Sequence, residues 1–405
     1  MNKIKQAVIF CGGMGTRLGH LTKNKPKPMI HVSGKPFLEH LIIQLKKNGI
    51  KKILLLTGYQ ELKIRKYFQN GSKWNVSIKY SYNPAETKTA LRLLFAKKLL
   101  DDYFLLLYSD NYCSLNLSKH ISIYKEIKKP ILITVCKKKI GNCNFLKNNR
   151  AISYSTKRSN KKKYVEVGYM ILKKNVLKNI KKINVDFSYY LELFAKDKKV
   201  FGFLNHEGYL SIGDPDRLKL TRSFFKRSNY ILIDRDGVLN KRPPVGKYVV
   251  KVQKLRILDR FVNKIKYGVK NLKFICVSNQ AGIATGELKN IDLNKINNKI
   301  KQYFKSKINI VDFFVSKDHF NSNSFYRKPN PGLFFEAAKK YKFILDKTIY
   351  IGDDKRDVEA AYNANTYIKY IGKEIFTKLE NKKYRNILIK SDINNFIKKK
   401  LKNEF

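Results

Sequence analysis

The chain has 405 residues, 43% of them hydrophobic, which suits packed cores and argues against disorder. At this length two domains of roughly 150 to 230 residues are expected, and no run of about 18 apolar residues marks a membrane span. The net charge is +54, from 85 Lys and Arg against 31 Asp and Glu. That excess is spread along the whole chain and dominated by lysine. It lacks the aromatic–basic repeats of a nucleic-acid reader, and it raises the local potential for anionic substrates.

In chain order, Ala7–Phe10 reads as a strand running into a glycine-rich loop. Phe37–Lys47 reads as a helix, Ile53–Thr57 as a strand, Glu61–Phe68 as a helix and Val76–Tyr80 as a strand. Thr89–Leu100 and Phe104–Tyr108 continue as helix and strand. Such alternation predicts an α/β fold, a mostly parallel sheet flanked by helices. A second series begins at the apolar strand Tyr230–Ile233 and continues with the strand Phe274–Val277. The helix Leu333–Lys340 and the strand Thr348–Ile351 follow. The polar stretch from Arg222 to Asn229 reads as the linker. The expected domains are therefore 1–222 and 229–375, followed by a basic tail, 376–405, that carries Lys398, Lys399, Lys400 and Lys402.

Five cysteines are dispersed with no CxxC pair, and Met1–Gln6 leads into the first strand without an apolar leader. Both features predict a reducing, cytoplasmic setting.

Ligand sites in such sheets lie beyond the carboxyl ends of the strands. Two clusters occupy that position. In the first, Gly12, Gly13 and Gly15 allow the backbone to turn tightly and to aim N–H groups at an anion. Thr16 and Arg17 follow; the arginine offers a fork of donors for phosphate oxygens, and Lys27, held between Pro26 and Pro28, adds a point charge. Asp110, just past the strand Phe104–Tyr108, is a hard oxygen ligand of the kind Mg²⁺ needs.

In the second cluster, Asp234 and Asp236 follow a short strand two residues apart, which suits a nucleophile and an acid/base partner. Ser278 and Asn279 end another strand and offer donors to phosphoryl oxygens. Lys328, beside Arg327, can neutralise transition-state charge, and Asp353 supplies a further carboxylate. Neighbouring carboxylates repel, so a divalent cation is expected among them.

With these motifs in view, residues 6 to about 220 resemble the sugar-1-phosphate nucleotidylyltransferases, closest to those acting on heptose or hexose 1-phosphates. The resemblance implies a Rossmann-like domain in which a sugar 1-phosphate attacks a nucleoside triphosphate and releases pyrophosphate. It places the triphosphate on Gly12, Gly13, Gly15, Thr16, Arg17 and Lys27, Mg²⁺ on Asp110, and the sugar near Glu166 and Gly168. The family's second metal aspartate is replaced here by Ser211, with Asp214 three residues on, so either Asp214 is a shifted ligand or metal binding is weakened.

Residues 229 to about 370 resemble the haloacid dehalogenase superfamily, also Rossmann-like. The nearest branch is that of heptose-bisphosphate and histidinol-phosphate phosphatases. This implies Asp234 as nucleophile, Asp236 as acid/base, phosphate contacts from Ser278, Asn279, Arg327 and Lys328, and Mg²⁺ held by Asp234, the Asp236 carbonyl and Asp353. That branch often carries a zinc loop before the Arg-Lys-Pro segment. Here the loop holds His319 and no cysteine, so no zinc is expected.

Together the resemblances imply a bifunctional enzyme of activated-sugar synthesis. Its partners would be sugar phosphates and a nucleoside triphosphate, not a membrane or nucleic acid. The alternative is a phosphatase whose N-terminal domain only binds sugar phosphate. Neither the base, the exact sugar nor the oligomeric state is encoded legibly.

Overall fold

A computed structural model describes residues 4–146, 150–226, 229–265 and 269–401. The chain divides into two compact units, Met1–Arg222 and Ser223–Phe405.

In the first unit the strand Gln6–Cys11 is buried along its whole length. It runs parallel to Lys52–Thr57 on one edge and to Tyr103–Tyr108 on the other. A strand paired on both edges and covered on both faces reads as the continuous apolar run seen here. Ser77–Tyr82 extends the parallel half beyond Lys52–Thr57. Helix Phe37–Lys47 has the bounds expected from its pattern; it buries Phe37, Leu38, Leu41, Ile42 and Leu45, a stripe at helical spacing. The expected helix Thr89–Leu100 is α-helical only to Phe95 and tightens to a 3-10 turn over Ala96–Leu99.

Beyond Tyr103–Tyr108 the sheet turns antiparallel. Tyr164–Lys173 pairs with Tyr103–Tyr108 and with Ile131–Lys137, and Gly141–Phe145 pairs with Ile152–Ser159. Val200–Leu204 runs parallel to Ile131–Lys137. Helix–strand alternation continues past Tyr108, with Leu117–Ile127 leading into Ile131–Lys137 and Phe187–Lys196 into Val200–Leu204, around an antiparallel insertion.

The second unit is a parallel sheet in the order Asn309–Ser316, Lys273–Asn279, Tyr230–Ile233, Ile349–Gly352, Tyr367–Tyr370. Its three central strands end side by side, so the residues just after them meet.

Two expectations need correction. The segment expected as a linker from Arg222 is helical to Lys226, the end of helix Pro215–Lys226, and Arg227 and Ser228 lie outside the described residues. The stretch from 376, expected as a basic tail, packs onto the second unit. Ile387 packs into one core layer of the second unit, and Ile389, Ile393 and Ile397 pack into the other. The lysines masked a four-residue apolar spacing that ends on the helix Ile393–Leu401. Lys402 and the side chains of Lys399 and Lys400 lie outside the described residues. Among the described residues, no helix is long and apolar enough to cross a membrane.

Candidate active sites

The N-terminal cavity, about 370 Å³, opens at the carboxyl ends of the parallel strands. Gly12, Gly13, Gly15, Thr16, Arg17, Lys27 and Asp110 all line it, so the structure brings these sequence candidates together. Gly15 sits at φ +71°, the left-handed region, where it starts the short turn Thr16–Leu18. Lys27 Nζ lies 2.6 Å from Asp110 Oδ2.

Glu166 and Gly168 lie on the strand Tyr164–Lys173, one step back from the cavity wall. Gly168 N–H donates to Glu166 Oε1. A Cβ on Gly168 would meet the Tyr108 ring at 2.7 Å, and Tyr108 lines the cavity. Burial, reinforced by the Asp110 carboxylate, pushes the Glu166 carboxyl up to about 7 against the opposing Gly168 N–H bond.

Asp214 does not join Asp110. Its carboxylate caps the helix that it precedes, accepting from Arg217 N at 2.9 Å and pairing with Arg217 Nε at 3.1 Å. Ser211 Oγ accepts from Gly213 N. No group of three metal-type ligands forms around Asp110 among the described residues. The expectation of Asp214 as a shifted metal ligand is corrected: an aspartate just before a helix is captured by the free N–H groups there. Asp186 and Arg92, which no local motif marks, also line this cavity, as does Lys88.

In the second unit Asp234 follows its strand directly, its N–H donating to Ile351 O at 2.8 Å. Three carboxylates, those of Asp234, Asp353 and Asp357, present oxygens within 4.8 Å of one another. Gly237 lets Asp353 in: it sits at φ +90°, and a Cβ there would fall 1.8 Å from Asp353 Oδ2. Lys328 Nζ reaches Asp234 Oδ1 at 2.8 Å, Asp357 Oδ1 at 2.7 Å and the Tyr350 hydroxyl at 2.8 Å. Burial alone would lower the Lys328 ammonium, but Asp234 and Asp357 hold it above its usual range. Arg242 Nη2 pairs with Asp353 Oδ1 at 2.8 Å, so two cations face three carboxylates and the charge is still not balanced. Burial and the neighbouring Asp357 accordingly push Asp234 well up. Oxygen donors so crowded fit a hard divalent cation, which would reverse that shift.

Asp236 turns away from this trio. Its carboxylate accepts from Arg235 Nε and Nη2, each at 3.2 Å, from Asn240 at 2.8 Å and from Gln280 at 2.7 Å. Burial opposes ionisation there, yet these donors prevail and hold the carboxyl below its usual range. The third carboxylate of the trio is Asp357, which the sequence reading missed. The signal was present as the i, i+4 pair Asp353 and Asp357 at the start of helix Lys355–Asn363.

The cavity over this cluster measures about 510 Å³ and is lined by Asp234, Asp236, Ser278, Asn279, Arg327 and Lys328 together with Arg242 and Arg356. Asn279 is not free for substrate: its side chain accepts from Lys328 N and donates to Lys328 O, both at 3.0 Å, fixing the lysine segment. Ser278 Oγ accepts from Gln280. In the 317–326 loop, the Asp318 carboxylate accepts from Ser316 and Ser324, while His319 packs against Phe320 in a tilted arrangement with ring centres 4.0 Å apart.

Residues 6–199 match the family model described as nucleotidyl transferase, and residues 236–399 match that described as polynucleotide kinase 3 phosphatase. The chain is a fusion of a nucleotidyl transferase domain and a haloacid-dehalogenase-like phosphatase domain. It is accordingly an enzyme with nucleotidyltransferase and phosphatase activities, and families of both kinds use divalent metal. Among relatives, the D-glycero-alpha-D-manno-heptose 1-phosphate guanylyltransferase of Campylobacter jejuni is 28% identical over 212 residues, covering 52% of this chain and 96% of the relative. The enzyme of the same name from Aneurinibacillus thermoaerophilus is 27% identical over 221 residues, covering 52% and 94%. The crystal structure of HddC from Yersinia pseudotuberculosis complexed with GMP-PN is 22% identical, covers 54% of this chain and 98% of that one, and has a TM-score of 0.45.

Proposed function

We propose that this fusion runs two consecutive steps on one sugar: removal of the 7-phosphate from a heptose 1,7-bisphosphate, then nucleotidyl transfer to the remaining 1-phosphate. The observation that carries the reading is the presence, on one chain, of a glycine-loop cavity closed by Lys27 and Asp110 and a cluster of Asp234, Asp353 and Asp357 around Lys328. The phosphatase product is the transferase substrate, which gives a reason for the fusion. The names of the relatives support a heptose 1-phosphate and make GTP the first triphosphate to try.

In the phosphatase step Asp234 attacks phosphorus through a carboxylate oxygen. The bond from phosphorus to the sugar oxygen breaks, leaving an aspartyl phosphate. Asp236 then serves as the base that takes a proton from the attacking water, and its donors keep it in that form at rest. For the first step it must carry a proton to the leaving oxygen, so substrate binding has to raise it. Lys328 offsets charge on the phosphoryl oxygens. A divalent cation, taken here as Mg²⁺, would be held by Asp234, Asp353, Asp357 and the Asp236 carbonyl, where it would neutralise the phosphoryl group. Arg327 lies on the wall of the same cavity and suits the second phosphate of a bisphosphate.

In the transferase step the N–H groups of the glycine loop, with Thr16, Arg17 and Lys27, hold the triphosphate. Asp110 would hold Mg²⁺, and Glu166 and Gly168 border the sugar. No zinc enters either step. A cytoplasmic setting fits the five buried free cysteines.

The deciding experiment is a panel of sugar bisphosphates, histidinol phosphate and a 3′-phosphorylated oligonucleotide, each with every nucleoside triphosphate. Phosphate and pyrophosphate are scored separately. Fastest phosphate release from a heptose 1,7-bisphosphate, with pyrophosphate following, is the expected result. Preference for the oligonucleotide would overturn the sugar assignment. Phosphate without pyrophosphate would reduce the N-terminal domain to a binding module.

A further inference from the structure

Arg92, on the helix Thr89–Phe95, is 2% exposed and among the largest fully buried side chains of the protein. A buried guanidinium normally pairs with a carboxylate. Among the described residues no carboxylate stands within ion-pair distance of this one. It donates instead to backbone carbonyls: Nε to Thr87 at 2.8 Å, Nη1 to Thr57 at 2.5 Å and Asn83 at 2.9 Å, Nη2 to Pro84 at 2.6 Å. Longer contacts from Nη2 reach Ala85 at 3.3 Å and Gly12 at 3.4 Å. These acceptors come from three separate segments: the end of a central strand, the 83–87 loop and the glycine loop. The guanidinium also fills space that two glycines leave. A Cβ on Gly12 would lie 2.4 Å from Arg92 Cζ, and one on Gly58 would lie 2.6 Å from Nη2.

The surrounding cavity already contains Arg17, Lys27 and Asp110. Arg92 reaches that cavity from beneath the glycine loop. All its donors are directed at backbone carbonyls, so it is not placed as a direct phosphate ligand. Its effect on a triphosphate would run through the loops that it ties and through a charge that no direct ion pair neutralises among the described residues. In a site shielded from water that charge acts over several ångströms.

We propose that Arg92 is a positioning residue for nucleotidyl transfer: it locks the glycine loop to the 83–87 loop and sets a fixed positive charge under the phosphate chain. The proposal rests on the reading that the glycine-loop cavity receives the triphosphate. It explains why glycine occupies position 58, which contributes no side chain to the cavity.

The test uses the full chain with Arg92→Gln, which removes charge and fork, and Arg92→Lys, which keeps charge but loses the fork. Binding of GTP with Mg²⁺ and of inorganic tripolyphosphate is measured by calorimetry, and pyrophosphate release gives kcat and KM. Trp74, the only tryptophan of the chain, is buried in this unit, so its fluorescence reports the folding of the N-terminal domain alone. Phosphate release by the other domain calibrates the amount of active chain.

Arg92→Gln is expected to weaken both ligands at least about tenfold, because the loops lose their shared tie and the site loses a nearby shielded charge. Arg92→Lys is expected to hold tripolyphosphate within about threefold of wild type while kcat falls about tenfold, because charge survives and loop alignment does not. Wild-type binding and turnover in both variants would overturn the proposal. So would loss of the Trp74 unfolding transition in both, which would assign Arg92 to stability alone. Wild-type protein that neither binds nor turns over a triphosphate would overturn the functional reading, and this proposal with it.

Discussion

Lys27 Nζ and Asp110 Oδ2 stand 2.6 Å apart, with the two side chains 12% and 25% exposed. A lysine expected on phosphate and an aspartate expected on metal thus neutralise each other in the free site. The pair keeps both charges in place until ligand divides them, with phosphate drawing the ammonium and a cation the carboxylate.

Asp110→Asn and Lys27→Met should each lower pyrophosphate release by about 10²-fold, the size typical of lost charge stabilisation in a shielded site. Phosphate release should be unchanged. The double variant should lose less than the product of the two single effects, since contacting residues are not additive. A double variant showing the full product would mean that the two residues act independently.

Asp234→Asn should abolish phosphate release and spare pyrophosphate release from a supplied sugar 1-phosphate. Intact protein mass spectrometry should find no phosphoryl adduct on the variant. Hydrolysis of the bisphosphate at the wild-type rate would remove Asp234 from the nucleophile position.

Asp357 binds Lys328 through Oδ1 and accepts from the N–H groups of Asp353 and Asp354 through Oδ2. Chelation with EDTA should stop phosphate release and added Mg²⁺ should restore it. Asp357→Asn should need about 10 to 100 times more Mg²⁺ for half-maximal rate, the range found when groups supporting a metal are changed. An unchanged Mg²⁺ requirement would place the cation elsewhere.

Glu166 has its carboxyl raised from 4.5 to about 7 in the folded protein. Between those values the folded state binds more proton than the unfolded one, so stability contributed by this group is present at low pH and falls as pH rises through the window. The Trp74 unfolding midpoint should therefore drop from pH 5 to pH 7.5 by more in wild type than in Glu166→Gln. If Glu166 contacts sugar as a carboxylate, KM for sugar 1-phosphate should also improve as pH rises past about 7, and that limb should vanish in the variant. Identical profiles would show that Glu166 does not titrate in this range.

Ile397 is fully buried in the core of the second unit. Ile397→Ala should cost about 2 to 5 kcal/mol, the range for truncating a buried isoleucine. Phosphatase activity should then be lost at a lower temperature, while the Trp74 transition stays put. An unshifted inactivation temperature would return 376–405 to the status of a tail.

Both candidate sites were legible in the chain as clusters because each is local: a strand end followed by a short motif. Gly12 to Arg17, Asp234 to Asp236, Ser278 and Lys328 carry their chemistry in their immediate spacing, and parallel strands place such ends together as a matter of geometry. Apolar runs at 7–10, 230–233 and 274–277 likewise announced buried strands through composition alone. Asp214 was a candidate only because Ser211 holds the motif's carboxylate position, and its own carboxylate has a nearer partner in the helix beginning beside it. Position 376 onward misled because lysines outnumbered the few isoleucines that hold it.

By itself the amino-acid order determined that there are two α/β units, where their strands end, and which short motifs sit there; these are properties of neighbours along the chain. Packing alone decided that Asp357 completes the acidic trio, that Asp236 faces Arg235, Asn240 and Gln280, and that Arg92 ties a strand end and two loops to one guanidinium. Those choices depend on competition in space between partners tens of residues apart, where burial makes an unmatched charge or donor costly and the nearest compensating group prevails.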